Sequence, residues 1–344
     1  MYLSIIIYSI LTFFLLFLFS KISYKLKLID NPNSRKTHSV STAFTGGIAI
    51  SISLIFSILL FNVSNNNLNL ILSMALLICI VGLIDDKFDL HAGSKLCLQI
   101  IPIFYLIIFQ NLELNNLGEY YFFKLNLGAF AIPFTLLCVL FLINAFNYFD
   151  GKDGTLCFST ISVLAILYFL TLENGLIVDE KPFGDKNIQL FLLSITLPIC
   201  IFLFFNFSLF HLPKMFLGDS GSLLLGFIVA FTLIYYADKR IIHPILIAWS
   251  IVIFVYEFLS VNLVRLKNKQ NIFKAGLDHL HHVIFNKTKS IFLTNFFICV
   301  ANVVLFTFGY TAFKFINPLA SLILFISFFP IFFILRNIYV SSKK

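Results

Sequence analysis

Four polar clusters interrupt an otherwise apolar chain, and each has the composition of a phosphate or cation site. Asp85 and Asp86 close one apolar run, in Val81-Gly82-Leu83-Ile84-Asp85-Asp86-Lys87. Carboxylates at the edge of a membrane either mark where a helix meets water or carry function, because a charge near lipid costs free energy. The second cluster sets Asn144, Asn147 and Asp150 three residues apart, followed by Gly151, Asp153 and Gly154. That spacing places the polar groups on one helix face, and the glycines break the helix and let backbone come close to a ligand. Two amides and two carboxylates there suit a metal-bound diphosphate or a sugar.

Asp219 stands between glycines in Phe216-Leu217-Gly218-Asp219-Ser220-Gly221-Ser222. Alone it reads as the cap of the apolar run that follows; beside Asp85, Asp86, Asp150 and Asp153 it becomes a ligand for a hard cation. Mg²⁺ is held by one or two carboxylates, with water and substrate phosphate completing the shell. The last cluster is Asp278-His279-Leu280-His281-His282. No cysteine lies near it and the spacing is not that of a zinc finger or zincin. The same segment contains Arg265, Lys267, Lys269 and Lys274, so the histidines read as donors to an anionic substrate.

The elements that must position these groups are membrane helices. Apolar residues make up 60% and charged residues 12%, with a mean hydropathy of +0.97, too little polar surface to cover a soluble globule. About eleven spans are predicted, at 2–20, 44–62, 68–84, 96–109, 127–145, 156–172, 188–210, 216–236, 241–263, 291–313 and 317–337. The fold class is therefore all-α and polytopic, with residues 1–344 forming a single transmembrane domain. The net charge of +8 does not point to nucleic acid, because the basic residues flank spans instead of forming one patch. Lys and Arg divide eighteen to six between alternate loops, which places the N-terminus outside and the C-terminus inside, with all four clusters at the inner face. The first span lacks both a basic start and a cleavage site, so it reads as retained. The six cysteines show no paired spacing and read as packing residues. Glu257, two turns inside the ninth span, either lines the site or pairs with a base such as Arg265.

In their joint order the four clusters resemble the polyprenyl-phosphate N-acetylhexosamine-1-phosphate transferase family, in its bacterial undecaprenyl-phosphate GlcNAc-1-phosphate branch above all. The resemblance runs over residues 30–282 and extends to Asp30-Asn31-Pro32, Arg35, Lys36, His38, Gly46-Gly47 and Lys95. One departure is Ala43-Phe44-Thr45, where the family has a proline before the glycine pair. The resemblance implies transfer of a HexNAc-1-phosphate from a UDP-activated amino sugar to polyprenyl phosphate, with release of UMP, as the first membrane step of O-antigen, capsule or teichoic-acid synthesis. It implies Mg²⁺, or Mn²⁺ in its place, on Asp219 and Asp150. Asp85 and Asp86 would assist the metal or act as base, and Asp153 would join Asp150 in catalysis. Lys36, Lys95, Asn144, Asn147, His279, His281 and His282 would bind substrate. Direct attack by the lipid phosphate ranks above double displacement through an Asp nucleophile. The implied partners are the UDP-HexNAc donor, the polyprenyl phosphate acceptor, membrane lipid and a second copy in a homodimer, with no nucleic acid. Composition and family point to a bacterial inner membrane.

Two other classes are consistent with eleven apolar runs. A transporter would place its ionisable residues near the bilayer midplane on broken helices, and an intramembrane aspartyl protease would leave the amides and histidines without a role. The charge count makes the first testable statement. Cysteines placed at Ser34 and Ser290 should resist impermeant thiol reagents in intact cells while one at Asn66 labels; external labelling of Ser34 or Ser290 would overturn the cytoplasmic face.

Overall fold

The computed structural model describes residues 2–31, 41–63, 65–173, 186–271, 276 and 278–341. The expected substrate residue Lys36, with Arg35, His38 and Lys274, lies outside them. Helix dominates because a chain in hydrocarbon must satisfy its own backbone hydrogen bonds. The spans appear as α1 (Tyr2–Leu26), α2 (Gly46–Phe61), α3 (Asn66–Phe88), α4 (Ala92–Phe104), α5 (Ala131–Phe149), α6 (Thr155–Leu172), α7 (Lys186–Asn206) and α8 (Gly218–Asp238), followed by α9 (Pro244–Ser250) and α10 (Val252–Lys267). After a short α11 (Leu280–Thr288), α12 (Ile291–Phe315) and α13 (Pro318–Ser341) complete the set. Among the described residues nine helical segments are long and apolar enough to cross a membrane, one of them α4 continued by a π-helical turn, Tyr105–Phe109. The α2 helix has only 16 residues.

The ninth expected span is not one helix. It breaks between α9 and α10, which meet at 71°. No proline or glycine marks the break; Asn302 of α12 satisfies the backbone groups that it exposes. The Asn302 amide nitrogen donates to the Ser250 carbonyl and to Ser162 Oγ, both at 3.1 Å, and its oxygen accepts from the Ile253 N–H at 3.4 Å. Trp249, fully buried, packs its indole on Gly309 of α12, where an added Cβ would lie 2.3 Å from the ring.

The chain divides into two compact units, one of Met1–Asn111 with Gly184–Thr232 and the other of Leu112–Phe183 with Leu233–Lys344. In the first unit, two short strands, β1 (Ile29–Asp30) and β2 (Thr42–Ala43), pair antiparallel. The chain beyond β2 lies along the segment that leads into α8. Phe216 N–H donates to the Ala43 carbonyl at 2.7 Å, while Gly46 and Gly47 donate to the Phe216 and Leu217 carbonyls at 3.1 and 3.0 Å. Helices α2 and α3 then touch the start of α8 without intervening side chains. A Cβ on Gly47 would fall 2.2 Å from the Gly221 nitrogen, and one on Gly82 would fall 2.5 Å from the Asp219 carbonyl and from Ser220.

In the second unit a hairpin, β3 (Asn116–Tyr120) with β4 (Phe123–Asn126), precedes α5. It was not expected from the sequence. His243, at the N-terminus of α9, accepts the Ile245 N–H on Nδ1 at 3.2 Å and lies 3.3 Å from the Glu119 carbonyl through Nε2.

The glycine contacts of α8 are directly testable. Gly82→Val forces a branched side chain into the α8 backbone, and overpacking of this kind costs about 1–3 kcal/mol, so the detergent-solubilised protein should melt at lower temperature. Gly93→Ala, which meets only its neighbour His91 at 3.5 Å, should melt as the wild type. An unchanged melting temperature for Gly82→Val would show that α3 and α8 do not touch there.

Candidate active site

The first unit gathers its acids around one lysine and one helix terminus. Asp85 and Asp86 occupy the last turn of α3, Lys95 the first turn of α4, and Asp219 the first turn of α8. The α8 terminus presents N–H groups with no partner inside the helix, and a carboxylate is favoured there by both hydrogen bonding and the helix dipole. Asp86 supplies it: its Oδ1 accepts the Asp219 N–H at 2.9 Å and its Oδ2 the Ser220 N–H at 3.1 Å. Asp219 therefore does not cap its own helix; Asp86, from another span, does. Gly218, with φ +74°, makes the turn, and a side chain there would run into Asp86 Oδ2.

Both oxygens of Asp86, expected to act as base or to assist the metal, are thus engaged with the α8 backbone. Its neighbour Asp85 faces the other way. Lys95 Nζ lies 2.6 Å from Asp85 Oδ2 and 2.5 Å from Asp219 Oδ2, with the lysine and Asp85 largely buried and Asp219 about one-third exposed. Asp85 Oδ1 also accepts the Leu90 N–H at 2.9 Å, which fixes its rotamer as the helix ends.

This arrangement fits a hard cation. Two carboxylate oxygens from different helices already converge on one positive group, and Mg²⁺ characteristically takes one or two protein carboxylates. Among the described residues no set of three His, Cys, Asp or Glu side chains is grouped to hold a metal. A cation here would be held by Asp85 and Asp219, while Asp150, expected as a second ligand to the metal, belongs to the other unit.

In the second unit α5 ends at Phe149 and α6 begins at Thr155, so Gly151 and Gly154 break the chain as their residue type suggested. Asn144, Asn147, Asp150 and Asp153 are half-buried, while Ile143, Ala145, Phe146 and Phe149 between them are buried. Asn144 and Asn147 share a partly exposed face of α5, and Asn144 returns its amide to the Leu140 carbonyl at 2.7 Å. Asp150 sits at the C-cap of α5. Asn295 of α12 holds the following turn, donating to the Asp153 carbonyl at 3.0 Å and accepting from Thr155 Oγ at 2.7 Å.

The histidines do not lie in a loop. His279 is the N-cap residue of α11, and His281 and His282 fall in its first turn. His281 is almost fully buried, and its Nε2 has no hydrogen-bond partner among the described residues. What lies against that nitrogen is Gly151, where a Cβ would be 2.1 Å away. His279 and His281 stack with ring centres 5.8 Å apart, and His282 lies 4.2 Å from His281. Burial pushes His279 and His282 down to about 4 and His281 also well below the usual imidazole range. At neutral pH these rings are therefore neutral.

Glu257 of α10, fully buried, does not pair with Arg265. It pairs with Arg336 of α13, at 2.9 Å to Nε and 3.3 Å to Nη2, and Arg265 instead binds Asp278 at 2.8 Å. Arg336 lies within the last predicted span, 317–337. A lone arginine within an apolar run was the available signal, since an intramembrane charge implies a partner.

Comparison with known proteins now bears on this geometry. The description "Glycosyl transferase family 4" matches residues 68–237, a span that holds Asp85, Asp86, Lys95, the α5 stripe and Asp219. An Escherichia coli (strain K12) protein described as undecaprenyl-phosphate alpha-N-acetylglucosaminyl 1-phosphate transferase is 29% identical over 287 residues, covering 80% of this chain and 74% of its own length. A Yersinia pestis protein of the same description is 29% identical over 273 residues, 78% of this chain and 72% of its own. A Bacillus subtilis (strain 168) protein, described as a probable undecaprenyl-phosphate N-acetylglucosaminyl 1-phosphate transferase, is 28% identical over 269 residues, 76% of this chain and 71% of its own. The similarity to these relatives reaches well past the matched region, and the acids that fold around Lys95 lie inside that region. The chain is thus similar to glycosyl transferase family 4 over residues 68–237 and to these transferases over most of its length.

Proposed function

We propose that the chain transfers an N-acetylhexosamine-1-phosphate from a UDP-linked amino sugar to a polyprenyl phosphate at the cytoplasmic face of a bacterial inner membrane, with release of UMP. The convergence of Asp85 and Asp219 on Lys95, on a helix terminus held by Asp86, carries the reading. The descriptions of the relatives support the undecaprenyl acceptor and, among donors, N-acetylglucosamine. A transporter or an aspartyl protease would have no use for carboxylates held at helix ends by a lysine and by backbone N–H groups.

In this reading an oxygen of the lipid phosphate attacks the sugar-side phosphorus of the donor. The new P–O bond forms as the bond bridging the two donor phosphorus atoms breaks, and that bridging oxygen leaves on UMP. A phosphate monoester is already largely dianionic at neutral pH, so the attack needs little help from a base. A divalent cation held by Asp85 and Asp219 would neutralise charge on the transferring group. The Lys95 ammonium, released from part of its pairing, reaches the same phosphates. Asp86 keeps the first turn of α8 in register, so that Asp219 stays where the reaction needs it. In the other unit the half-buried amides of Asn144 and Asn147 and the carboxylates of Asp150 and Asp153 bind the donor. His281 and His282, as neutral imidazoles, donate ring N–H bonds to its anionic oxygens.

The reading is tested by UMP release from UDP-N-acetylglucosamine with purified protein, undecaprenyl phosphate and Mg²⁺. Asp219→Asn should nearly abolish release without loss of folded protein, and excess chelator should do the same to the wild type. Undiminished turnover in chelator, or a wild-type rate for the variant, would remove the metal role.

The histidines make a separate prediction. Even from a neutral ring, a hydrogen bond to a charged oxygen is worth about 1.5–3 kcal/mol, so His281→Ala and His282→Ala should each lower kcat/KM for the UDP-sugar by that amount. An effect on kcat would place the bonds in the transition state, and one on KM would place them in both states. Retained activity in the double variant would show that these rings do not touch the donor.

A further inference from the structure

The histidine turn is short, and four polar interactions hold it in place from outside. Leu280 N–H, at the start of α11, donates to Glu257 Oε1 at 2.9 Å. The Asp278 carbonyl, one residue before the histidines, accepts from Arg336 Nη2. The Glu257 carboxylate and Arg336 guanidinium hold each other by two bonds, at 2.9 and 3.3 Å, with both side chains almost fully buried. The Asp278 carboxylate is held in turn by Arg265, which also lies over the Tyr148 ring, and that ring packs on His279 at 4.8 Å.

From this geometry we infer that Arg336 is a positioning residue for the donor-binding histidines, acting through Glu257 and the Asp278 carbonyl. Its guanidinium reaches both flanks of the turn: a backbone carbonyl before His279, and the carboxylate that caps the N–H after it. Such a fork needs a planar group with several fixed donors, which lysine lacks. The device also explains why a buried ion pair is kept between α10 and α13. An apolar pair of similar volume is often at least as stable, but it would leave the Leu280 N–H and the Asp278 carbonyl without these partners. The inference rests on the proposed role of the histidines only for its effect on catalysis, since the placement of the rings can be read independently.

The experiment compares the full-length protein with Arg336→Met and Arg336→Lys in detergent. The first readout is peptide-resolved modification by diethylpyrocarbonate. In Arg336→Met, His281 and His282 should modify several-fold faster, while His243, at the N-terminus of α9, should be unchanged. The second readout is kinetic: a misplacement of about 1 Å can cost about a hundred-fold, so kcat/KM for the UDP-sugar should fall by up to that factor while KM for the lipid acceptor stays constant. Arg336→Lys should lie between, because it keeps the charge and one bond but not the fork. If Arg336→Met fails to fold, Glu257→Leu/Arg336→Met removes both charges and should fold, with the same rise in histidine modification. Wild-type modification rates in a folded variant would overturn the inference. Faster modification in a wild-type background that shows no transferase activity would keep the positioning role and remove the proposed function instead.

Discussion

The first turn of α8 contains Asp219 and is reached on one side by a glycine of α2 and on another by a glycine of α3. A helix that starts there exposes N–H groups where no water is needed, and the two bonds from Asp86 are what make that start tolerable. Once Asp86 is committed to the backbone, the adjacent Asp85 must point elsewhere, and it finds Lys95 together with Asp219. One capping interaction thus gives two neighbouring acids different partners, a helix terminus for Asp86 and a lysine for Asp85. Gly47, Gly82 and Gly218 make it sterically possible, since any side chain at those places would meet the α8 segment or the Asp86 carboxylate.

The second unit solves a similar problem with different groups. A turn that carries three neutral imidazoles is fixed by polar groups as well as by ring packing. Its backbone is gripped by the Glu257–Arg336 pair, its leading carboxylate by Arg265, and one of its rings rests on the bare backbone of Gly151. Nearby, the break between α9 and α10 leaves backbone groups that Asn302 completes. In each case a polar residue inside an apolar helix has a named partner, as the cost of an unpaired group in a low-dielectric interior requires.

The architecture and the candidate residues were legible because they depend on patterns local in sequence. Runs of apolar residues long enough to cross a bilayer define helices whatever they pack against, and charges cannot be hidden in such runs without leaving a visible interruption. The acid pair, the Asn-Asn-Asp stripe with its glycines, Asp219 and the histidines all stood out for that reason. The break at Ser250 did not, because no helix-breaking residue marks it and the stabilising amide comes from Asn302, far along the chain. The hairpin before α5 did not either, because residues 116–126 fall between two predicted spans, where hydropathy says nothing of strand pairing.

The sequence by itself determined the fold class and the set of residues able to do chemistry, since hydropathy and residue type are properties of the chain alone. Only the tertiary structure decided the division of labour: Asp86 as cap and Asp85 as partner of Lys95, Arg336 instead of Arg265 on Glu257, and His281 against Gly151. Two adjacent carboxylates are chemically equivalent on paper, and any of several basic residues could neutralise a buried glutamate. Which oxygen meets which donor depends on helices brought together from distant parts of the chain, where a shift of a few ångströms makes or removes a hydrogen bond.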